Sequence, residues 1–291
     1  MIKKLLLLIT LIFINFANSE DIKLHFENKE ITNAQTALLY LDAKNIKEPK
    51  LTVLNKEKTN IDFFKNPFKK NSFYALIPMS YYKNIKPYKI IVSYEKNNVK
   101  KFKSTSLILK NGKYKSEVIN VKSSKVTLSK KNKQRTKKEY KEAMDIYNTV
   151  TKELLWNSDF IYPLNTKITS EFGTKRVYNN KIKSYHSGTD FRASIGTPIK
   201  AANDGIVVLS KHRFYAGNSI IIDHGQGVYT CYYHLSKMNF KKNQKVKKGE
   251  IIGLSGNTGR VTGPHLHFSA RVNSVQVDPM QLITILNKIN N

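Results

Sequence analysis

The chain is short of cysteine, of acid and of long apolar runs. Cys231 is the only cysteine in 291 residues, so neither an intramolecular disulfide nor a four-cysteine zinc site can form. There is no HExxH pair, which removes the design in which one helix carries two metal-binding histidines and a glutamate base. No apolar stretch reaches the roughly 20 residues of a comfortable membrane span. Acidic residues number 21 against 50 Lys+Arg, for a formal charge of +29. That charge attracts polyanions such as nucleic acid, anionic lipid or anionic wall polymer. A general Lys/Asn/Ile bias, as in "KEKTNIDFFKNPFKKN", accounts for it equally well, so charge alone names no partner. With 40% hydrophobic and 24% charged residues, the composition is neither that of a disordered chain nor that of a multi-pass membrane protein. The length allows two domains, each with its own core.

The start of the chain bears on the compartment. Lys3 and Lys4 precede an apolar stretch, Leu5 to Phe16, broken only by Thr10 and Asn15. Ala17 and Ser19 then place small residues three and one positions before a cut at Glu20. This predicts a cleavable secretory signal over 1–19, with no cysteine at the cut for a lipid anchor. An exported protein seldom meets nucleic acid, so the basic charge is expected to face an anionic wall or membrane surface.

Three stretches follow. From 20 to 125, about seven short β-branched and aromatic runs (Ile22–Phe26, Ala37–Leu41, Leu51–Leu54, Ser72–Ile77, Lys89–Tyr94, Ser106–Leu109 and Glu117–Val121) are separated by turn residues. They predict a β-sandwich-like domain without visible chemistry. From 126 to 158, Tyr140, Met144, Tyr147, Val150 and Leu154 recur at helical spacing and predict an amphipathic linker helix. From 159 to 291, strands return with more glycine, closing on Asp278-Pro279 as N-cap and first residue of a short helix. The expected fold is therefore mainly β, in two parts with a helix between.

Six of the seven histidines lie at or after residue 186. His186-Ser-Gly-Thr-Asp190 puts an imidazole and a carboxylate, both normal zinc ligands, on one face. In Pro264-His265-Leu266-His267-Phe268 a strand would aim both histidines into one site. His234 ends the strand-like run "VYTCYYHL", and "SGNTGRVTGP" makes a tight glycine loop before His265. Each motif alone is weak.

In order, "ITSEFGTKR", "YHSGTDFRASIGTPIKAANDGIVV", "YYHLS", "KVKKGEIIGLSGNTG" and "TGPHLHF" resemble the lysostaphin-type zinc metallopeptidases, peptidase family M23 or LytM-type, over about 159–291. Members of that family cut peptidoglycan stem peptides and cross-bridges. The first stretch, through "SFYALIPMSYYKNIKPYKIIVSY", looks like the β-domain preceding this peptidase in some Gram-negative wall enzymes. The resemblance implies an antiparallel β catalytic domain with His186, Asp190 and His267 as zinc ligands. It also implies that His234 and His265 form a catalytic pair beside the metal, either of which can be the base. It further implies a peptidoglycan substrate and a periplasmic location, with the wall or exterior as the alternative. D-alanyl–diaminopimelate cross-links are the expected target, stem trimming and glycine-bridge cleavage being the other options. A non-catalytic LytM-type wall binder or activator is the competing function, but such members typically lose metal ligands and this chain keeps all three.

The remaining candidates read more plainly. His25 and His224 are expected to be structural, and His212 exposed. Cys231 is expected to be a small core residue. Tyr178 or Tyr185, both near His186, is a possible oxyanion donor. Arg176 is open between binding a substrate carboxylate and stabilising the fold.

Overall fold

The computed structural model describes residues 22–54, 58–119, 127–178 and 182–290. The expected secretory leader lies outside them.

The first part is built from β1 (Ile22–Phe26), β2 (Glu30–Thr32), β3 (Thr36–Ala43), β4 (Lys47–Leu54), β5 (Thr59–Asp62), β6 (Phe64–Lys65), β7 (Ser72–Pro78), β8 (Pro87–Lys96) and β9 (Val99–Lys110). They form two sheets, ordered β1-β3-β7-β6 and β2-β9-β8-β4-β5. Alternation sets the facing: Tyr88, Ile90, Val92 and Tyr94 of β8 turn inward and meet Leu39, Leu41, Ala75 and Ile77 of the other sheet. The reverse faces of β3 and β7 are also covered. Leu38, Tyr40, Tyr74 and Leu76 enter a second core with Trp156, Phe160, Leu282 and Ile285. Burial on both faces explains why β3 reads as the unbroken apolar run "TALLYL" rather than as an alternation.

Next come β10 (Ser116–Ile119) and α1 (Lys130–Tyr147). The remaining elements are β11 (Ile168–Ser170), β12 (Lys175–Tyr178), β13 (Ile182–Tyr185), β14 (Thr189–Arg192), β15 (Pro198–Lys200), β16 (Gly205–Arg213), β17 (Gly217–Asp223), β18 (Val228–Leu235), β19 (Lys237–Met238), β20 (Lys245–Val246), β21 (Ile251–Leu254), β22 (His265–Val272), β23 (Val275–Val277) and α2 (Pro279–Leu286). The principal sheet is antiparallel, ordered β11-β14-β22-β18-β17-β16-β20, with β23 on β22. Asp278 caps α2 through Met280 N–H and Gln281 N–H, with Pro279 in the first turn, as the sequence predicts.

Two expectations are corrected. The run Glu117–Val121, whose last two residues lie outside the described ones, does not join the sheets of the first part: β10 pairs in parallel with β12, Glu117 beside Arg176. The helix stops at Tyr147, so Val150 and Leu154 fall beyond it, and Tyr140 is 64% exposed. The buried stripe is Glu139, Ala143 and Tyr147. It packs on Leu209, Ile221, Tyr229 and Cys231 of the principal sheet. Glu139 hides the stripe from a hydrophobic-periodicity search; its carboxylate accepts from Arg135 Nε at 2.7 Å and Phe214 N–H at 2.9 Å.

Candidate metal centre

Strand register brings the site together. Asp190 of β14 lies directly across from His267 of β22, and Arg192 across from His265. Partners across an antiparallel pair share a face, so Asp190, His265 and His267 all stand on one side of the sheet. His186 sits just before β14 and is 1% exposed. Gly188 leaves room for the His267 ring, because a Cβ there would lie 2.5 Å from His267 Nε2.

Three ligand atoms converge. His186 Nε2 is 2.9 Å from Asp190 Oδ1 and 3.0 Å from His267 Nδ1, and His267 Nδ1 is 2.8 Å from Asp190 Oδ1. The second ring nitrogen of His186, Nδ1, is 2.9 Å from the Glu171 carbonyl oxygen, so it carries the proton. In the neutral ring Nε2 is then a bare lone pair directed at a carboxylate oxygen and at another ring nitrogen. Such a set repels itself unless a cation or extra protons sit among the atoms, and two imidazoles with one carboxylate is a donor set that suits zinc. The residues therefore fit a metal ion. Burial opposes charge on Asp190, but the adjoining His186 and His267 imidazoles outweigh it and hold its carboxyl well below the usual carboxylate range. Burial lowers His267 to about 4. Its ring is flanked by Tyr233, stacked at 5.5 Å and 5°.

The second pair is arranged alike. His234 Nδ1 is 2.8 Å from the Thr258 carbonyl oxygen, and His265 Nδ1 is 2.9 Å from that of Gly263. Both rings thus donate Nδ1–H to backbone and keep Nε2 as a free lone pair. His265 Nε2 lies 3.7 Å from Asp190 Oδ1, and the two rings are 4.9 Å apart. His234 follows Tyr233 on β18, so in a regular strand it would face away from His267. Its φ of 63° breaks the alternation and swings the ring back to the site. A non-glycine residue in that region is a cost carried at a functional position. Burial, then the neighbouring His267 and His265, lower His234 to about 3, so it stays neutral.

The other candidates separate. Arg176 is not available for a substrate carboxylate: Nε donates to Glu117 Oε1 at 2.7 Å, and Nη2 to Ser170 Oγ at 2.9 Å and Asp190 Oδ2 at 3.3 Å. Tyr185 stacks on Tyr81 of the first part at 4.0 Å and 2°, and burial pushes its hydroxyl to about 12. The Tyr178 side chain lies outside the described residues. His212 is exposed. His25 stacks on Tyr40 at 4.9 Å. Cys231 is fully buried, its Sγ 3.2 Å from the Tyr147 hydroxyl. His224 is buried between the Asp204 carbonyl and the Thr230 hydroxyl at 2.6 and 2.7 Å, away from the metal ligands.

Sequence reasoning missed the layer behind the ligands. Glu117 and Tyr147 read only as strand and helix-stripe residues and Ser170 only as part of "ITSEFGTKR"; their three-dimensional partners reveal what they support.

Residues 184–279 match the model of peptidase family M23. The chain is 48% identical over 123 residues to the peptidoglycan DD-endopeptidase ShyA of Vibrio cholerae, covering 41% of this chain and 29% of that protein. It is 39% identical over 117 residues to the DD-carboxypeptidase/endopeptidase Mpg of Neisseria meningitidis, covering 40% and 27%. The match thus spans under a third of the length of these curated relatives. Among solved structures, a candidate M23 peptidase of Pseudomonas aeruginosa gives a TM-score of 0.65 at 24% identity, covering 87% of this chain and 94% of that one. At that identity the likeness is one of fold, and it extends well beyond the family match.

Proposed function

We propose that the protein is a zinc-dependent endopeptidase of peptidoglycan, a reading supported by the match of residues 184–279 to the peptidase family M23 model. The observation that carries the reading is the convergence of His186 Nε2, Asp190 Oδ1 and His267 Nδ1 on one point. These three residues would hold the zinc. Bound there, zinc supplies a Lewis acid for the scissile carbonyl and lowers the pKa of water from roughly 15.7 to about 7.

The protein's own groups supply the rest. His234 and His265 turn Nε2 toward the site, where it accepts the proton of the attacking water. Once protonated, either ring donates to the developing oxyanion or returns the proton to the leaving amine. The backbone carbonyls of Thr258 and Gly263 fix both tautomers and so keep the basic nitrogen turned inward. The Tyr233 face and the buried sheet exclude water from one side of His267.

The names of the relatives support a DD-type bond, so D-alanyl–diaminopimelate cross-links are the proposed target, with trimming of uncross-linked stems as a lesser activity. The leader-like start supports work in the periplasm. Retention of all five site side chains weighs against a non-catalytic wall binder. The test is digestion of purified diaminopimelate-type sacculi, with products identified by mass. Conversion of cross-linked dimers to monomers by wild type, and not by Asp190→Ala, supports the reading. Unchanged cross-linking, or cleavage of the glycan instead, sinks it.

A further inference from the structure

The metal ligands are held from outside the family match. Asp190 uses Oδ1 toward the two histidines, while Oδ2 receives Arg176 Nη2 at 3.3 Å. The same Nη2 donates to Ser170 Oγ at 2.9 Å, and that oxygen is 3.2 Å from His186 Nδ1. One guanidinium therefore touches the surroundings of two ligands. A guanidinium is a rigid planar fork, so fixing one edge fixes the direction of the other. The fixing group is Glu117: its Oε1 accepts from Arg176 Nε at 2.7 Å. Strand pairing places it there, since β10 runs parallel to β12 with Glu117 beside Arg176. The Arg176 side of the pair is shielded, at 15% exposed, while Glu117 is partly open to solvent at 37%. Glu117 also balances the Arg176 charge, which would otherwise draw electron density from the Asp190 carboxylate.

We propose that Glu117, acting through Arg176, is a positioning residue for Asp190 and thereby sets the metal affinity of the site. This rests on the zinc reading above. Partners behind metal ligands typically contribute 10–100-fold in affinity when removed. A purely structural Glu117 would instead lower thermal stability and leave affinity alone.

The experiment measures zinc affinity of the purified full chain by competition with a chelator of known affinity, with thermal unfolding recorded alongside. Glu117→Gln should bind zinc at least about 10-fold more weakly than wild type. Arg176→Gln should weaken it too, and adding Glu117→Gln to that variant should cause little further loss, since the relay is already cut. Lys115→Ala removes another link beside β10, the ion pair from the residue just before that strand to Glu171 at 3.4 Å, and should leave affinity within about twofold, as expected of an exposed pair. If Glu117→Gln does not fold, Arg176→Lys carries the test, because it keeps the charge but loses the fork. Wild-type affinity in the folded Glu117→Gln protein, or in Arg176→Lys should that be needed, overturns the proposal while leaving the zinc reading intact. Absence of zinc binding by wild type overturns the zinc reading itself.

Discussion

His186→Ala or Asp190→Ala leaves two ligand atoms where three converge, and two hold a metal poorly. Both variants should lose zinc and activity together, by metal analysis and by turnover of cross-linked fragments. His234→Ala and His265→Ala remove only Nε2 lone pairs beside the cluster. They should keep zinc and lose roughly 10²–10⁴-fold in turnover, the usual contribution of a positioned proton acceptor. Metal loss in His265→Ala with retention in His267→Ala would mean that these two histidines have exchanged roles. A different residue-scale effect concerns His224, which burial lowers to about 4 from the ordinary imidazole value of about 6.5, against a smaller raising effect of Asp204. Between those values the unfolded chain takes up a proton that the folded chain refuses. Its contribution to stability is therefore complete above about pH 6.5 and is lost as pH falls toward about 4. The buried imidazole makes this worth about 3 kcal/mol in all. Denaturant unfolding at pH 7 and pH 5 should show a clear loss at the lower pH, and His224→Gln should reduce that pH dependence.

At the scale of elements, the strands and the site were legible for different reasons. β1 was read at its full extent because short β-branched runs bounded by turn residues carry their own punctuation. The four site histidines and Asp190 were legible because they lie in compact motifs, and the structure gathers them around β14, β18 and β22, with His186 just before β14. The helix was misjudged because a tyrosine counts as apolar by type. Tyr140 faces solvent one position off the true stripe, whose first member is an acid. The parallel partner of β10 was invisible because parallel pairing over about 60 residues leaves no local mark. Helix α1 is accordingly a support for the catalytic sheet. Tyr147 is 2% exposed, reaches Cys231 and Tyr233 at 3.2 and 3.3 Å, and lies under the Arg271 guanidinium at 4.5 Å. Tyr147→Ala should cost about 3–5 kcal/mol in denaturant unfolding, as for other large buried aromatics. A loss below about 1 kcal/mol would show that α1 is only loosely attached.

At the scale of the whole molecule, the first part does not stand apart from the part that carries the candidate metal ligands. Contacts here are those of a shared interior. Leu38, Tyr40, Tyr74 and Leu76 share a core with the catalytic part. Thr36 exchanges two backbone hydrogen bonds with the Gln281 amide, at 3.0 and 2.9 Å, and Tyr40 donates to the Lys288 carbonyl at 2.9 Å. A chain begun near Asn157 would expose that core and discard α1 and Glu117. It should be poorly folded, with weakened zinc binding; a soluble truncated chain with full-length thermal stability would contradict this. The proposed chemistry depends on one coordination sphere, and zinc-edge X-ray absorption on the purified full chain reads it directly. The expected spectrum shows about one zinc per chain, bound by nitrogen and oxygen at about 2.0–2.2 Å with two imidazoles and no sulfur. No zinc, or a sulfur ligand from Cys231, would contradict the His186, Asp190 and His267 centre.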